Sequence, residues 1–161
     1  MQKKHLRIMT ADAPSYDAIN VRRVKRGRLV QQRDRIEDSV DSWRVVTNRA
    51  PTPSELADCI VAWKVCAAVM SNAIVIAQTG QAVGIGGGQQ NRVDAARIAV
   101  SRAGNRCVGA SEASDAFFPF ADGLEILAES GGRAIIQHGG RVRGEEVISA
   151  AEGNGALTVV P

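Results

Sequence analysis

Three short clusters in the second half of the chain have residue types suited to binding a ligand. The first is the glycine run Gly84-Ile85-Gly86-Gly87-Gly88, which leads into a predicted helix. Backbone N–H groups at a helix N-terminus favour an anion. The run lacks both the third glycine of a dinucleotide-binding fingerprint and the Lys-Ser/Thr of a P-loop. Close packing of a strand on a helix would also explain these glycines, so both interpretations stay open.

The second cluster, residues 113–123, holds all three phenylalanines of the protein within four positions, around Pro119. A flat aromatic ligand would lie against such rings while Asp122 accepts hydrogen bonds from ring N–H groups. The alternative is a hydrophobic plug under a loop, with Asp122 capping the helix that follows.

The third cluster is Ile136-Gln137-His138-Gly139-Gly140, where a predicted strand opens into glycines. Open α/β sheets tend to bind ligands at such strand ends. His138 would be within reach of a site there and would be able to transfer protons. A single loop histidine is more often only a surface residue.

Length and composition limit the classes of protein to consider. The 161 residues, 45% hydrophobic and 23% charged, indicate one globular domain of ordinary composition. Apolar runs such as Cys66–Met70 are far shorter than the roughly 20 residues of a membrane span, and no apolar signal core follows the basic N-terminus. We therefore expect a cytoplasmic protein. Three cysteines and two histidines argue against a disulfide framework and against a metal site.

The positive charge is concentrated near the N-terminus. Residues 1–49 carry 12 Lys/Arg against 6 Asp/Glu, whereas residues 50–161 carry 8 against 11. The basic stretch 22–28 would suit a nucleic acid, but it contains no aromatic residues for base stacking. A solvated hairpin that turns at Gly27 is the favoured interpretation, and we do not expect a nucleic-acid or membrane partner.

The elements that must position these clusters alternate between strand and helix. A threonine, a proline and a glutamate at 52, 53 and 55 form a capping box, and apolar residues recur at helical spacing from Leu56 to Met70. A second helix, 90–103, presents Val93, Ala96, Arg97 and Val100. Further helices are predicted at 123–130 and 145–151. Predicted strands cover 19–24, 29–32, 44–47, 72–78, 82–85, 133–137 and 156–160, with a short one at Val108. This order indicates a three-layer α/β domain with a central mixed sheet, after a short β-rich N-terminal arm. We expect residues 1–15 to form a flexible segment.

Four segments together resemble a known enzyme family. Ser71-Asn72-Ala73-Ile74-Val75, the glycine run continuing to Arg92-Val93, Ser114-Asp115-Ala116-Phe117-Phe118-Pro119-Phe120, and the His138 segment occur in the order and spacing of the AICAR transformylase/IMP cyclohydrolase family. AICAR is aminoimidazole carboxamide ribonucleotide. The resemblance is to the C-terminal part of the transformylase domain, and it runs from about Tyr16 to about Val160.

The resemblance implies a cytidine-deaminase-like fold and formyl transfer from 10-formyltetrahydrofolate, as co-substrate, to the 5-amine of AICAR. It also implies a homodimer that completes the active site. The deaminase zinc signature does not occur in the sequence, so deamination is not implied. Asn72, Asp122 and His138 are the candidate catalytic residues, and Asn72 would face the formyl group and the carboxamide. The resemblance places Arg92 and Phe117 by the nucleotide; it places Asn72, Val93, Pro119, Phe120, Asp122 and Gly139 at the folate.

The departures from the family pattern are equally specific. The family's Lys-His pair and an Arg-Tyr-Gly element belong to a first deaminase-like unit that is absent from this sequence, and the chain ends without the family's basic tail. Ala121 and His138 occupy positions where the family has an arginine and a proline. We therefore expect a transformylase-like protein that is incomplete on its own, with a separately encoded first half as a possible partner. The alternatives are an enzyme recruited to another reaction in the same pocket and a non-catalytic binding or scaffold protein.

Overall fold

The computed structural model describes residues 9–12, 19–32, 40–138, 144–153 and 157–160. Most of the segment 1–15, expected to be flexible, therefore lies outside the described residues. The chain divides into two compact units, residues 1–35 and residues 36–161.

The first unit contains an antiparallel hairpin of β1 (Ile19–Val24) and β2 (Gly27–Gln32). Val21 pairs with Val30, and Val24 pairs with Gly27. The turn is made by residues 25 and 26, so the prediction that it lies at Gly27 is wrong by one residue: Gly27 is the first residue of β2. Every residue of both strands is exposed. The predicted hairpin is confirmed.

The second unit is an α/β domain around a six-stranded mixed sheet with strand order β3-β8-β7-β6-β4-β5. The strands β6, β7 and β8 are parallel, and the pairs β3–β8, β4–β6 and β4–β5 are antiparallel. Its elements are β3 (Arg44–Val45), α1 (Pro53–Cys66), β4 (Ile74–Gln78), β5 (Gln81–Gly86), α2 (Arg92–Ala103), β6 (Ser111–Ser114), α3 (Asp122–Glu129), β7 (Ala134–Ile136), α4 (Gly144–Gly153) and β8 (Leu157–Val160).

Among the residues that the structure describes, the core consists of two apolar clusters, one on each face of the sheet. One cluster joins α1 to the sheet through residues such as Trp63, Val75 and Ala113. The other joins α2, α3 and α4 to the opposite face, around Ile76 and Ile135. The alternating side chains of β4 supply both clusters, as strand geometry requires. An α/β domain with a mixed central sheet is thus confirmed.

Helix α1 begins as the sequence predicts and ends earlier. Thr52 Oγ1 accepts from the Glu55 N–H, while the Glu55 carboxylate accepts from the Thr52 N–H, so the capping box is present. The helix ends at Cys66 rather than at Met70, which is 74% exposed. The Met70 carbonyl instead accepts a hydrogen bond from Gly88 N–H at 2.6 Å, which holds the end of this segment against the glycine loop.

Strand β6 is missed by the sequence analysis, and the predicted short strand at Val108 is wrong. Val108 follows a short 3-10 turn and is 66% exposed. The strand lies three residues later and has the sequence Ser-Glu-Ala-Ser, all buried. Two serines and a glutamate do not give a strand signal, because strand propensity favours β-branched and aromatic residues.

The inner face of α2 also differs from the prediction. The buried residues are Ala95, Ala96, Ala99 and Ala103, whereas Arg97 is exposed. No helix within the described ranges is long and apolar enough to cross a membrane.

Candidate functional site

The three clusters noted in the sequence meet at one edge of the sheet. The pairing of Ile74 with both Gly86 and Ser114 brings together the start of β4 and the ends of β5 and β6. The end of β7 lies beside them, because Ile136 pairs with Ala113. This is the carboxyl edge of the parallel strands β6 and β7, where α/β sheets commonly bind ligands.

Arg92, the first residue of α2, lies at the centre of a polar network. Its Nε donates to Ser114 Oγ (3.1 Å), its Nη1 to Asn72 Oδ1 (2.6 Å) and its Nη2 to Asp115 Oδ1 (3.1 Å). Asn72 Nδ2 in turn donates to the Gln89 carbonyl oxygen at 2.9 Å. Because both ends of the Asn72 amide are engaged, its orientation is fixed. The structure therefore brings together Asn72 and Arg92, two of the predicted site residues.

The glycine run serves close packing. A Cβ atom added at Gly84 would lie 2.2 Å from the Ala99 carbonyl oxygen, and one added at Gly86 would lie 2.0 Å from the Ala95 carbonyl oxygen. The N-terminus of α2 is capped by the Asn91 side chain, which accepts from the Asp94 N–H at 2.8 Å. Of the two interpretations left open, these contacts favour strand-on-helix packing over an anion cradle.

The aromatic segment is divided between core and surface. Phe118 is 2% exposed, and its N–H donates to the buried Gln137 Oε1 at 2.9 Å. By contrast, Phe117 is 38% exposed and Phe120 is 50% exposed. The aromatic segment lies near Arg92 at Gly123. A Cβ atom added at this glycine would lie 2.9 Å from the Phe118 ring and 3.8 Å from Arg92 Cβ, so the three residues are close neighbours. Phe118 is thus the hydrophobic plug, while the other two rings present aromatic surface.

Asp122 is exposed at the start of α3. The alternative in which it caps this helix is wrong: the N-cap residue is Ala121, without a side-chain hydrogen bond, and Asp122 is the first helical residue. Its Oδ1 accepts from the Gly123 N–H at 2.7 Å. Nearby in the chain, Pro119 is exposed, and Val93, which follows Arg92 in α2, is half-buried.

His138 lies on another side of the same edge. Its ring contacts Trp63 of α1, with centroids 4.9 Å apart. Within the described part of the chain, no hydrogen bond links His138 or Asp122 to the Arg92 network. Gly139, a predicted folate residue, lies outside the described residues.

Sequence reasoning assigned no role to three polar residues that hold this edge together: Ser114, Asp115 and Gln137. Asp115 Oδ1 accepts from the Ala73 N–H (3.0 Å) as well as from Arg92, and Ser114 Oγ donates to the Ala116 carbonyl oxygen (2.6 Å). Ser114 ends β6 and Asp115 directly follows it, but because this strand gives no strand signal in the sequence, no local pattern marks the two residues.

The cysteines do not supply a nucleophile here. Burial, with a smaller contribution from the negative charge of Asp115, raises the pKa of the Cys66 thiol to about 12. The thiol therefore stays protonated at neutral pH. Among the residues that the structure describes, no group of three or more His, Cys, Asp or Glu could hold a metal ion.

Comparison with known proteins identifies the family. The profile of the AICARFT/IMPCHase bienzyme family matches residues 1–102. The bifunctional purine biosynthesis protein PurH of Mycobacterium marinum is 48% identical over 153 residues, which cover 93% of this chain and 29% of that protein. Its counterparts from Mycobacterium leprae and Corynebacterium glutamicum are 49% identical over 152 and 154 residues, covering 92% and 93% of this chain and 29% and 30% of theirs. The chain spans about three-tenths of the length of these curated relatives and belongs to the AICARFT/IMPCHase bienzyme family.

Proposed function

We propose that this chain is the C-terminal, cytidine-deaminase-like part of an AICAR transformylase, and that it binds substrates of formyl transfer in purine biosynthesis. The observation that carries the proposal is the meeting, at one sheet edge, of the segments on which the family resemblance rests. The relatives' name as purine biosynthesis proteins supports the pathway. A cytoplasmic location would suit such a role.

The nucleotide side of the proposed site is Arg92, Asn72 and Phe117. Asn72 has its amide oxygen on Arg92 and one amide hydrogen on Gln89, so its second amide hydrogen is the donor for the formyl group or the carboxamide. Phe117 offers a partly exposed ring on the segment that packs by Arg92. These groups fit a planar heterocycle that carries carbonyl oxygens.

The folate side is Val93, Pro119, Phe120, Asp122 and, outside the described residues, Gly139. A pterin ring has an apolar face and ring N–H donors. The half-exposed Phe120 ring suits the face, and the exposed Asp122 carboxylate suits the donors. 10-Formyltetrahydrofolate would therefore be held as co-substrate by surface rings and one carboxylate.

For the chemistry, Asn72 would orient the formyl carbonyl, and His138 or Asp122 would move a proton. His138 is exposed on one side, with its ring fixed against Trp63, which leaves it accessible to a bound substrate. General acid–base help is worth roughly 10²–10⁴-fold in rate. The resemblance assigns that help to a Lys-His pair of a unit that this sequence does not contain, so we expect weak turnover by the 161-residue chain alone.

Homodimerisation is part of the proposal. The resemblance implies an active site completed across two subunits, and the described surface carries large exposed apolar residues such as Met70 and Phe120. Light scattering at tens of micromolar should give twice the 17.1 kDa mass of the chain. A mass of one chain would remove dimerisation from the proposal.

Calorimetry with a reduced folate and with AICAR tests the proposed site directly. We expect the folate to bind more tightly, because the residues that the resemblance assigns to the folate are among these 161 residues, whereas the arginine that it assigns to the nucleotide phosphate is not. A charge-assisted phosphate contact is worth roughly 1.5–3 kcal/mol, so its loss weakens AICAR by about tenfold or more.

Asp122→Ala is the decisive variant, and Glu125→Ala, exposed one turn further along α3, is its matched control. Asp122→Ala should weaken folate binding about tenfold, since the ligand keeps its aromatic contact and loses its polar anchor. Glu125→Ala should leave the folate affinity unchanged. The proposal fails if the unmodified protein and both variants bind folate with equal affinity, or if AICAR binds and folate does not. A different reaction in the same pocket would then be the better hypothesis.

A further inference from the structure

The guanidinium of Arg92 is held on three sides by groups of this chain. Three of its five N–H groups donate to Ser114, Asn72 and Asp115, and the other two have no partner among the described residues, which leaves them for a ligand. The side chains of Arg92 and Asp115 are each only 14% exposed. Arg92 is therefore already oriented before a ligand arrives.

Asp115 differs from the other two partners because it carries a charge. Its Oδ1 accepts from both Arg92 Nη2 (3.1 Å) and the Ala73 N–H (3.0 Å), which ties the carboxylate to the start of the β4 segment. The positive charge of Arg92 is thus paired within the protein, in a place with little solvent to screen the pair.

Ser114 fixes the angle of the guanidinium. Its hydroxyl donates to the Ala116 carbonyl oxygen at 2.6 Å, so its lone pair faces Arg92 Nε. Asn72 Oδ1 accepts from Nη1 on the other side. The guanidinium makes all three hydrogen bonds at once in only one orientation.

We propose that Asp115 is a positioning and specificity residue, which fixes Arg92 and cancels its charge so that the remaining Arg92 N–H groups donate to an uncharged oxygen and disfavour an anion. The inference relies on the proposed function only for the choice of nucleoside probe. An anion bound at those N–H groups would lie close to the Asp115 carboxylate, which carries the same charge. Because little solvent screens the two charges here, their repulsion costs more free energy than it would at the protein surface.

The variant Asp115→Asn isolates the charge. The asparagine oxygen accepts the same two hydrogen bonds, so the geometry is kept while the negative charge is removed. Asp115→Ala removes both. Asp94→Asn is the matched control, because it removes one negative charge from the first turn of the same helix, where Asp94 contacts Asn91 and Arg97 rather than the Arg92 guanidinium.

The Nε–Hε signal of Arg92, assigned by its loss in Arg92→Lys, provides a readout at the site by NMR. In the unmodified protein and in Asp115→Asn we expect slow hydrogen exchange of this group, and in Asp115→Ala at least fivefold faster exchange. This measurement needs no ligand, so it tests the positioning role even where no substrate binds. Equal exchange rates in all variants would overturn it.

Titration with inorganic phosphate, followed on the same signal, tests the selectivity. Phosphate should bind Asp115→Asn at least tenfold more tightly than the unmodified protein or Asp94→Asn, a gain that a merely structural role of Asp115 would not produce. The phosphate-free nucleoside of AICAR should bind the unmodified protein and Asp115→Asn within about threefold of each other, and Asp115→Ala at least tenfold more weakly.

Two results separate the proposals. In the first, the nucleoside binds none of the proteins, while the exchange rates and the increase in phosphate affinity are as expected. This result supports the role of Asp115 and shows that the proposed substrate is wrong. A phosphate affinity in Asp115→Asn no higher than in Asp94→Asn overturns the selectivity, whatever the nucleoside does.

Discussion

Glu112 is the most unusual single residue of the fold. It lies in the middle of β6, is fully buried, and neither carboxyl oxygen has a hydrogen-bond partner among the described residues. Its carboxyl group packs against Gly132: a Cβ atom added at that glycine would lie 2.0 Å from Glu112 Oε1. Burial raises the pKa of Glu112 well above its ordinary value, so the residue is a neutral acid in the folded state. The pKa of the buried thiols Cys59 and Cys107 is raised chiefly by burial, so these neighbours provide no compensating charge.

The protonated state of Glu112 makes stability depend on pH. Above pH 4.5 the unfolded chain loses this proton while the folded chain keeps it, so the folded state binds more protons and the free energy of unfolding falls as pH rises. The contribution is fully present below the unfolded pKa and is lost toward the raised folded pKa, with a slope of at most about 1.4 kcal/mol per pH unit. Urea unfolding between pH 5 and pH 8 should therefore show a steeper decline for the unmodified protein than for Glu112→Gln. Glu125→Gln, an exposed control, should keep the original slope, and parallel curves for all three proteins would contradict the prediction.

At the residue scale, local sequence pattern singled out, among the site residues, only the aromatic run with Phe117, Phe120 and Asp122 and the strand end with His138. Asn72 and Arg92 entered through the family resemblance, because nothing in their immediate neighbours marks them. Gln137 was overlooked because its partner, the Phe118 N–H, is a backbone group of a distant segment. Glu112 was overlooked because a glutamate is almost never fully buried without a partner.

At the scale of elements, the match between β5 and α2 explains why the sequence predicted the wrong inner face for that helix. Gly84 faces Ala99, and Gly86 faces Ala95. Two residues of strand span about 6.6 Å and four residues of helix span about 6 Å, so both glycine–alanine pairs align. The helix lies so close to the strand that only small residues fit between them. A hydrophobicity pattern favours Val93 and Val100 instead, but both are only half-buried.

Gly86→Ala should separate this pair of elements. The new Cβ atom would lie 2.0 Å from a backbone oxygen of Ala95, so no side-chain rotation relieves the overlap and the helix itself must move. We expect a loss of about 1–3 kcal/mol or more in the free energy of unfolding, measured by urea denaturation. Gly153→Ala is the control, because nothing lies within 4 Å of an added Cβ atom at the end of α4. A loss below about 0.5 kcal/mol for Gly86→Ala would mean that the close approach is not present in solution.

At the scale of the whole molecule, the described core belongs entirely to the second unit. Every buried hydrophobic residue of the described chain lies between Cys59 and Val160, and the first residue that packs against either cluster is Trp43. The hairpin of the first unit contributes none, since all residues of β1 and β2 are exposed. An isolated two-stranded hairpin is marginally stable at best, whereas a sheet covered by helices on both faces supports itself. The stability of the chain therefore resides in residues 36–161.

Removal of residues 1–35 tests this division. Because the deletion takes away no buried hydrophobic residue of the described core, the remaining chain should unfold cooperatively with a Tm within about 4 °C of the full chain, a shift that corresponds to less than roughly 1–2 kcal/mol. Circular dichroism during heating measures it. Trp63→Ala in the full chain is the positive control, since loss of this core side chain should cost about 3–5 kcal/mol and lower the Tm far more. If the truncated chain loses cooperative unfolding while Trp63→Ala keeps it, residues 1–35 are part of the folding unit. The exposed hairpin would then be required for the stability of the chain.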